Sequence, residues 1–297
     1  MASLYTHQSS NVAKTWALMG GFFLLVMAVG WFVSYYFNEP LFLYIAVAFA
    51  LVMNITAYWQ SDKIALHSAH AVEADSVRYL ELHRLVENLA ITAGLPKPRV
   101  YIIEDSAPNA FAAGRDPKHS VVAVTTGLLE RLDKSELEGV LAHELAHIGN
   151  RDILVMTVAV VLAGFLSVLA DMFLRVSIFG GENRDRNVHP VVMIVGVAGI
   201  ILAPIAAQII HLAISRRREF LADASGALLT RYPDGLASAL KKISSYGAPV
   251  RHATSATAHL YIANPFGAAS TGKFMRKIFS THPPVEERIA ALTGMRV

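Results

Sequence analysis

His143-Glu144-Leu145-Ala146-His147 sets two histidines four residues apart, with a glutamate beside the first. On an α-helix, positions i and i+4 share a face, so both imidazoles can reach one metal ion. The glutamate between them then stands where it can take a proton from a metal-bound water. Ser135-Glu136-Leu137-Glu138 reads as a capping box, with Ser135 as N-cap and Glu138 at N3. From Glu136 to His147 there is no proline, and Leu137, Leu141, Ala142, Leu145 and Ala146 favour a helix. Gly149-Asn150 marks its end.

Around this motif the chain is too apolar for an ordinary soluble domain. Of 297 residues, 54% are hydrophobic and 16% charged, with a mean hydropathy of +0.43. Four stretches account for this, at residues 16–37, 41–59, 153–174 and 191–214. The first two carry no charge, the third only Asp171, and the fourth only Gln208 and His211 as strongly polar residues. Each is long enough as a helix to cross roughly 30 Å of hydrocarbon. The first is not a cleaved signal peptide, because it is too long and a second span follows after Asn38-Glu39-Pro40. The expected fold is a mostly α integral membrane protein with four transmembrane helices and a small β-sheet.

Four spans put the N-terminus, residues 61–152 and residues 215–297 on one side. Lys14, Lys63, Arg151 and Arg216-Arg217-Arg218 flank the spans there, against Arg175, Arg184 and Arg186 opposite. The positive-inside rule makes that side, with both termini, cytoplasmic. With no cysteine, disulfides, thiolate ligands and a cysteine nucleophile are excluded. A net charge of +3 and no basic, aromatic-interleaved patch argue against a nucleic-acid partner.

The chain divides into a first hairpin (1–60), a segment with the metal helix (61–152), a second hairpin (153–214) and a closing segment (215–297). Residues 71–93 read as an amphipathic helix, with Leu82, Leu85, Val86 and Leu89 on one stripe. His67 and His70 lack an accompanying carboxylate and read as solvated. Residues 99–104, 109–112 and 120–125 read as strands, with Gly114-Arg115-Asp116-Pro117 as the turn between the last two. A short helix follows at 128–132. Residues 218–229 and 236–243 read as helices. Residues 244–272, rich in Gly, Ala, Ser, Thr and Pro, read as a mobile loop or flap.

Two histidines do not complete a catalytic zinc site, which needs a third protein ligand. Glu219 is the best candidate. It opens Glu219-Phe220-Leu221-Ala222-Asp223, where Glu219 and Asp223 share a helical face. Glu219 then binds the metal and Asp223 orients a ligating histidine. His147 lies six residues before the third span and Glu219 five after the fourth, with two spans between. Both therefore emerge on one side, within roughly 10 Å of the membrane boundary if helical.

Together with Asn109-Ala110-Phe111-Ala112-Ala113-Gly114 and Thr281-His282-Pro283-Pro284-Val285-Glu286-Glu287-Arg288-Ile289, these motifs resemble the HtpX-type heat-shock membrane zinc metalloproteases of bacteria. CAAX-prenyl endopeptidases and Oma-type proteases are related. The resemblance spans most of the chain, although the tail before Trp16 is longer than in the shortest members. It implies a cytoplasmic α+β domain of gluzincin type, one Zn2+ on His143, His147 and Glu219, and Glu144 as base. It also implies that Asn109 lies on a substrate-facing edge strand. The resemblance further implies that His282 and Arg288 come near the cleft, with His282 as a donor to the oxyanion.

The expectation is thus a multi-pass protease of the bacterial inner membrane that cleaves unfolded or misassembled membrane proteins. One alternative is a CAAX-type prenyl-protein endopeptidase, against which the span count argues. The other is a non-enzymatic zinc-binding scaffold or transporter, against which the scarcity of polar groups in the spans argues.

Overall fold

The computed structural model describes residues 4–179, 205, 216–253, 257–258, 260–266 and 283–295, with side chains from residue 8 apart from 169 and 172–179. Two apolar helices, α1 (Leu4–Phe37) and α2 (Leu41–Trp59), form a hairpin. Gly30 allows their close approach, since a Cβ there would lie 2.2 Å from the Ala46 Cβ. Trp16, Leu24, Trp31, Tyr35, Tyr44 and Ile55 on this hairpin are each more than half exposed. So large an apolar surface is stable where lipid covers it. Residues 8–37 and 41–59 are both long and apolar enough to cross a membrane.

The third expected span falls in α7 (Asp152–Phe179), whose first half is buried within the protein while Val168 further along is exposed. Leu154, Val158, Leu162 and Leu166 meet α1 and α2, while Val155, Met156 and Val160 meet the sheet. The fourth expected span lies outside the described residues apart from Ile205, which packs against this helical cluster.

After α3 (Ser61–Ser68) come β1 (Val72–Glu73), α4 (Leu80–Thr92), β2 (Arg99–Ile103), β3 (Ala110–Asp116) and β4 (His119–Thr125). The sheet order is β1-β2-β4-β3, with β2 and β4 parallel and the other pairs antiparallel. Alternate residues point to opposite faces. Ala110, Ala112, Val122 and Val124 join α4 and the metal helix in one core. Phe111, Ala113, Val121 and Ala123 join α3 and α7 in another. Both faces are buried, so the strands read as nearly unbroken apolar runs. Arg115 stacks over Trp59 at 4.6 Å and ties β3 to the end of α2.

Next come α5 (Thr126–Arg131), α6 (Lys134–Gly149) and α7, then α8 (Arg216–Thr230), α9 (Pro233–Ser244) and α10 (Val285–Thr293). Helix α6 carries the metal motif. Its cap is Asp133 with Glu136 at N3, two residues earlier than Ser135 and Glu138. Asp133 accepts from the Glu136 N–H and Glu136 from the Asp133 N–H, each at 2.9 Å. Residues 71–79 are not helical. Val72 pairs with Ile102, and the Asp75 carboxylate accepts from the N–H groups of Val77 and Arg78, making a turn that delays α4 to Leu80. The expected turn at Gly114–Pro117 is displaced, because β3 continues to Asp116, which pairs with His119.

Residues 244–272 contain a packed segment as well as exposed ones. Val250, Ala258, Leu260, Tyr261, Ile262 and Ala263 are buried. Tyr261 bridges Phe111, and the Ile262 N–H donates to the Ala110 carbonyl at 2.9 Å. This strap pairs with the free edge of β3. The strap thus covers the edge at Ala110 and Phe111.

Candidate metal centre

Helix α6 brings His143 and His147 to one face, and α8 lays Glu219 opposite them. Gly226 of α8 lets the two helices approach, since a Cβ there would lie 3.0 Å from the His143 backbone nitrogen. The two Nε2 atoms are 3.1 Å apart. Glu219 Oε1 lies 3.6 Å from His147 Nε2, and Oε2 lies 3.9 Å from His143 Nε2. All three side chains are buried and offer ligand atoms within 4.8 Å of one another. Ligand atoms bonded to tetrahedral zinc at about 2.0–2.1 Å are roughly 3.3 Å apart. The nitrogen and oxygen donor set and its spacing fit that ion.

Each histidine is held from behind. His143 Nδ1 lies 2.9 Å from Asp223 Oδ1, which directs Nε2 toward Glu219. Arg288 grips Asp223 with two hydrogen bonds, at 2.6 and 2.7 Å. Its Nη1 donates to the Ile262 carbonyl at 2.9 Å and lies 3.6 Å from Glu219 Oε2. Arg288 is completely buried. Burial works against ionising Asp223, but Arg288 and His143 outweigh it and hold the carboxyl below its usual range. His147 Nδ1 lies 3.1 Å from Asp152 Oδ2.

Glu144 is buried beside this group, and its Oε1 has no hydrogen-bond partner among the described residues. Burial pushes its carboxyl up to about 7, while His147 opposes the shift and Glu219 adds to it. A carboxyl poised near neutrality and left with a bare oxygen is suited to proton transfer. Asn109 is also buried, and its amide bonds the Ala263 carbonyl of the strap at 3.1 Å.

A family model described as peptidase family M48 matches residues 76–296. The chain belongs to peptidase family M48. It is 50% identical over 299 residues to a protein named Protease HtpX homolog from Thermoanaerobacter pseudethanolicus, covering 99% of this chain and 98% of that one. A protein of the same name from Thermococcus kodakarensis is 48% identical over 282 residues, covering 94% of each. Among solved structures, the crystal structure of S. mikatae Ste24p matches with a TM-score of 0.54 at 20% identity. That likeness concerns the fold, and the chain spans 64% of that protein's length while 96% of this chain is covered. With its two apolar helices, this M48 chain is a membrane metalloprotease.

The structure thus gathers His143, His147, Glu219, Asp223 and Arg288 in one cluster with Glu144 beside it, while Asn109 bonds the strap at Ala263, next to the Ile262 carbonyl that Arg288 bonds. His282 lies outside the described residues. Sequence reasoning passed over Asp152, which reaches His147 after the helix break at Asn150-Arg151. Arg151 takes a left-handed φ of 56° there, and α7 leaves α6 at 83°. It also missed the strap, whose small and polar composition hid a strand-like segment. His67 and His70 are exposed and lie away from the site, beside His252.

Proposed function

We propose that this chain hydrolyses peptide bonds in unfolded or misassembled membrane proteins at the cytoplasmic face of a bacterial inner membrane, using zinc held by His143, His147 and Glu219. The observation that carries the reading is the cluster of three buried ligand atoms beside the bare carboxylate oxygen of Glu144. When bound, zinc supplies a Lewis acid that lowers the pKa of water to about 7 and polarises a carbonyl. Glu144 takes the proton from the attacking water and passes it to the leaving amine. Asp223 and Asp152 fix the two imidazole rings, and Arg288 locks Asp223. His282 is the candidate donor to the oxyanion.

Substrate binds as an added strand along β3. The strap occupies that edge, with Asn109 and Arg288 bonding its carbonyls, so an extended substrate displaces residues 260–263 and takes over their partners. The exposed apolar hairpin supports a site beside lipid and membrane proteins as substrates.

The purified full chain in detergent tests this against a denatured membrane protein and a prenylated peptide. The reading expects cleavage of the plain substrate, abolished by a zinc chelator and restored by added zinc. Cleavage confined to the prenylated peptide would replace it with a prenyl-protein endopeptidase, and no metal-dependent cleavage of either would leave a scaffold.

A further inference from the structure

The N-terminal end of the first membrane helix touches the metal helix at the break between α6 and α7. Gln8 donates to the Gly149 carbonyl at 2.7 Å. The Asn11 amide donates to the Asn150 carbonyl at 3.1 Å and to Asp152 Oδ1 at 2.7 Å. Asp152 uses its other oxygen on His147, 3.1 Å from Nδ1. Asn11, Asp152 and His147 are all buried. A buried polar line of this kind is strong when every member is satisfied and costly when one is lost.

Asp152 has a competing neighbour. Arg218 Nε lies 3.8 Å from the same Oδ1, and the buried Arg218 guanidinium makes no hydrogen bond of its own among the described residues. An unrestrained Asp152 would turn toward that cation and release His147. The neutral Asn11 amide prevents this by fixing Oδ1 in direction without adding charge. Thr15 returns a bond to the Asn11 carbonyl at 2.9 Å, which anchors Asn11 within α1.

We propose that Asn11 is a positioning residue, through which the first membrane helix sets the orientation of His147 toward the metal. This rests on the zinc reading above. The polar first turns of α1 thereby acquire a task, coupling the seating of α1 to metal retention.

The test uses the purified full chain and its Asn11→Ala, Asn11→Leu and Gln8→Ala variants. Zinc affinity is measured by chelator competition, the visible spectrum after cobalt substitution, and kcat and KM on a peptide. Outer partners of metal ligands typically contribute 10–100-fold in affinity, so Asn11→Ala should weaken zinc by about tenfold. It should also shift the cobalt bands and lower kcat with KM unchanged. Gln8→Ala removes a backbone contact of the same helix and should keep the native affinity and spectrum. Asn11→Leu, close in size, repeats the test if Asn11→Ala does not fold. Native affinity and spectrum in a folded Asn11 variant would overturn the proposal, as would equal losses in Gln8→Ala. A wild-type chain that binds no zinc would instead overturn the functional reading itself.

Discussion

His147 is surrounded by carboxylates. Burial works against its charge, yet Asp152, Glu219 and Glu144 outweigh that and raise it to about 9 in the metal-free chain. Its proton is held more tightly than in a free imidazole, so an incoming metal must displace it. Affinity for zinc should therefore fall by roughly tenfold per pH unit below about pH 9, with proton release on binding. Calorimetry in buffers of different ionisation enthalpy would show this, and a flat affinity from pH 6 to 8 would contradict it. Arg288 offers a second residue-level check. Arg288→Met leaves Asp223 buried beside Glu219 without its cation, a loss on the order of 3–5 kcal/mol. Denaturant unfolding should register it, and adding Asp223→Asn should recover part. At this scale the His143 and His147 pair is legible, because i and i+4 spacing survives any tertiary arrangement. Asp152 and Asn11 are not, because a left-handed Arg151 and a contact across 141 residues leave no periodic trace.

The elements of the catalytic part were mostly readable as types and less so at their ends. Asp133 and Ser135 each have a glutamate three residues on, so the sequence contains two overlapping caps. Asp133 prevails because Glu136, once at N3, also accepts from Lys242 and Ser238 of α9, both at 2.6 Å. That choice depends on a helix a hundred residues away. The strap was hidden for a related reason, since its strand character comes from the β3 edge it borders. Ile262→Pro removes the N–H that donates to Ala110 and should loosen the strap. Peptide hydrolysis is then expected to rise several-fold through a lower KM, measured at substrate concentrations well below saturation. A variant with lower kcat/KM and an intact fold would show that the strap shapes the site and does not block it.

For the whole molecule, hydropathy located the first hairpin, which leaves a band of apolar side chains uncovered by protein. It was less informative for α7, whose first half packs on α1, α2 and the sheet. The topology can be tested cleanly, because the chain has no cysteine and an introduced thiol is the sole one. Lys97→Cys and Lys241→Cys should resist a membrane-impermeant maleimide in intact spheroplasts and react after lysis. Labelling before lysis would reverse the orientation. The central claim is that His143, His147 and Glu219 hold the metal while Glu144 moves the proton. Zinc content and proteolysis of the purified chain, measured side by side for wild type, Glu144→Gln and Glu219→Gln, test it most directly. Glu144→Gln should keep its zinc and lose at least about a thousandfold in activity, while Glu219→Gln should lose both zinc and activity. An active Glu144→Gln, or a Glu219→Gln that binds zinc as tightly as wild type, would contradict the account.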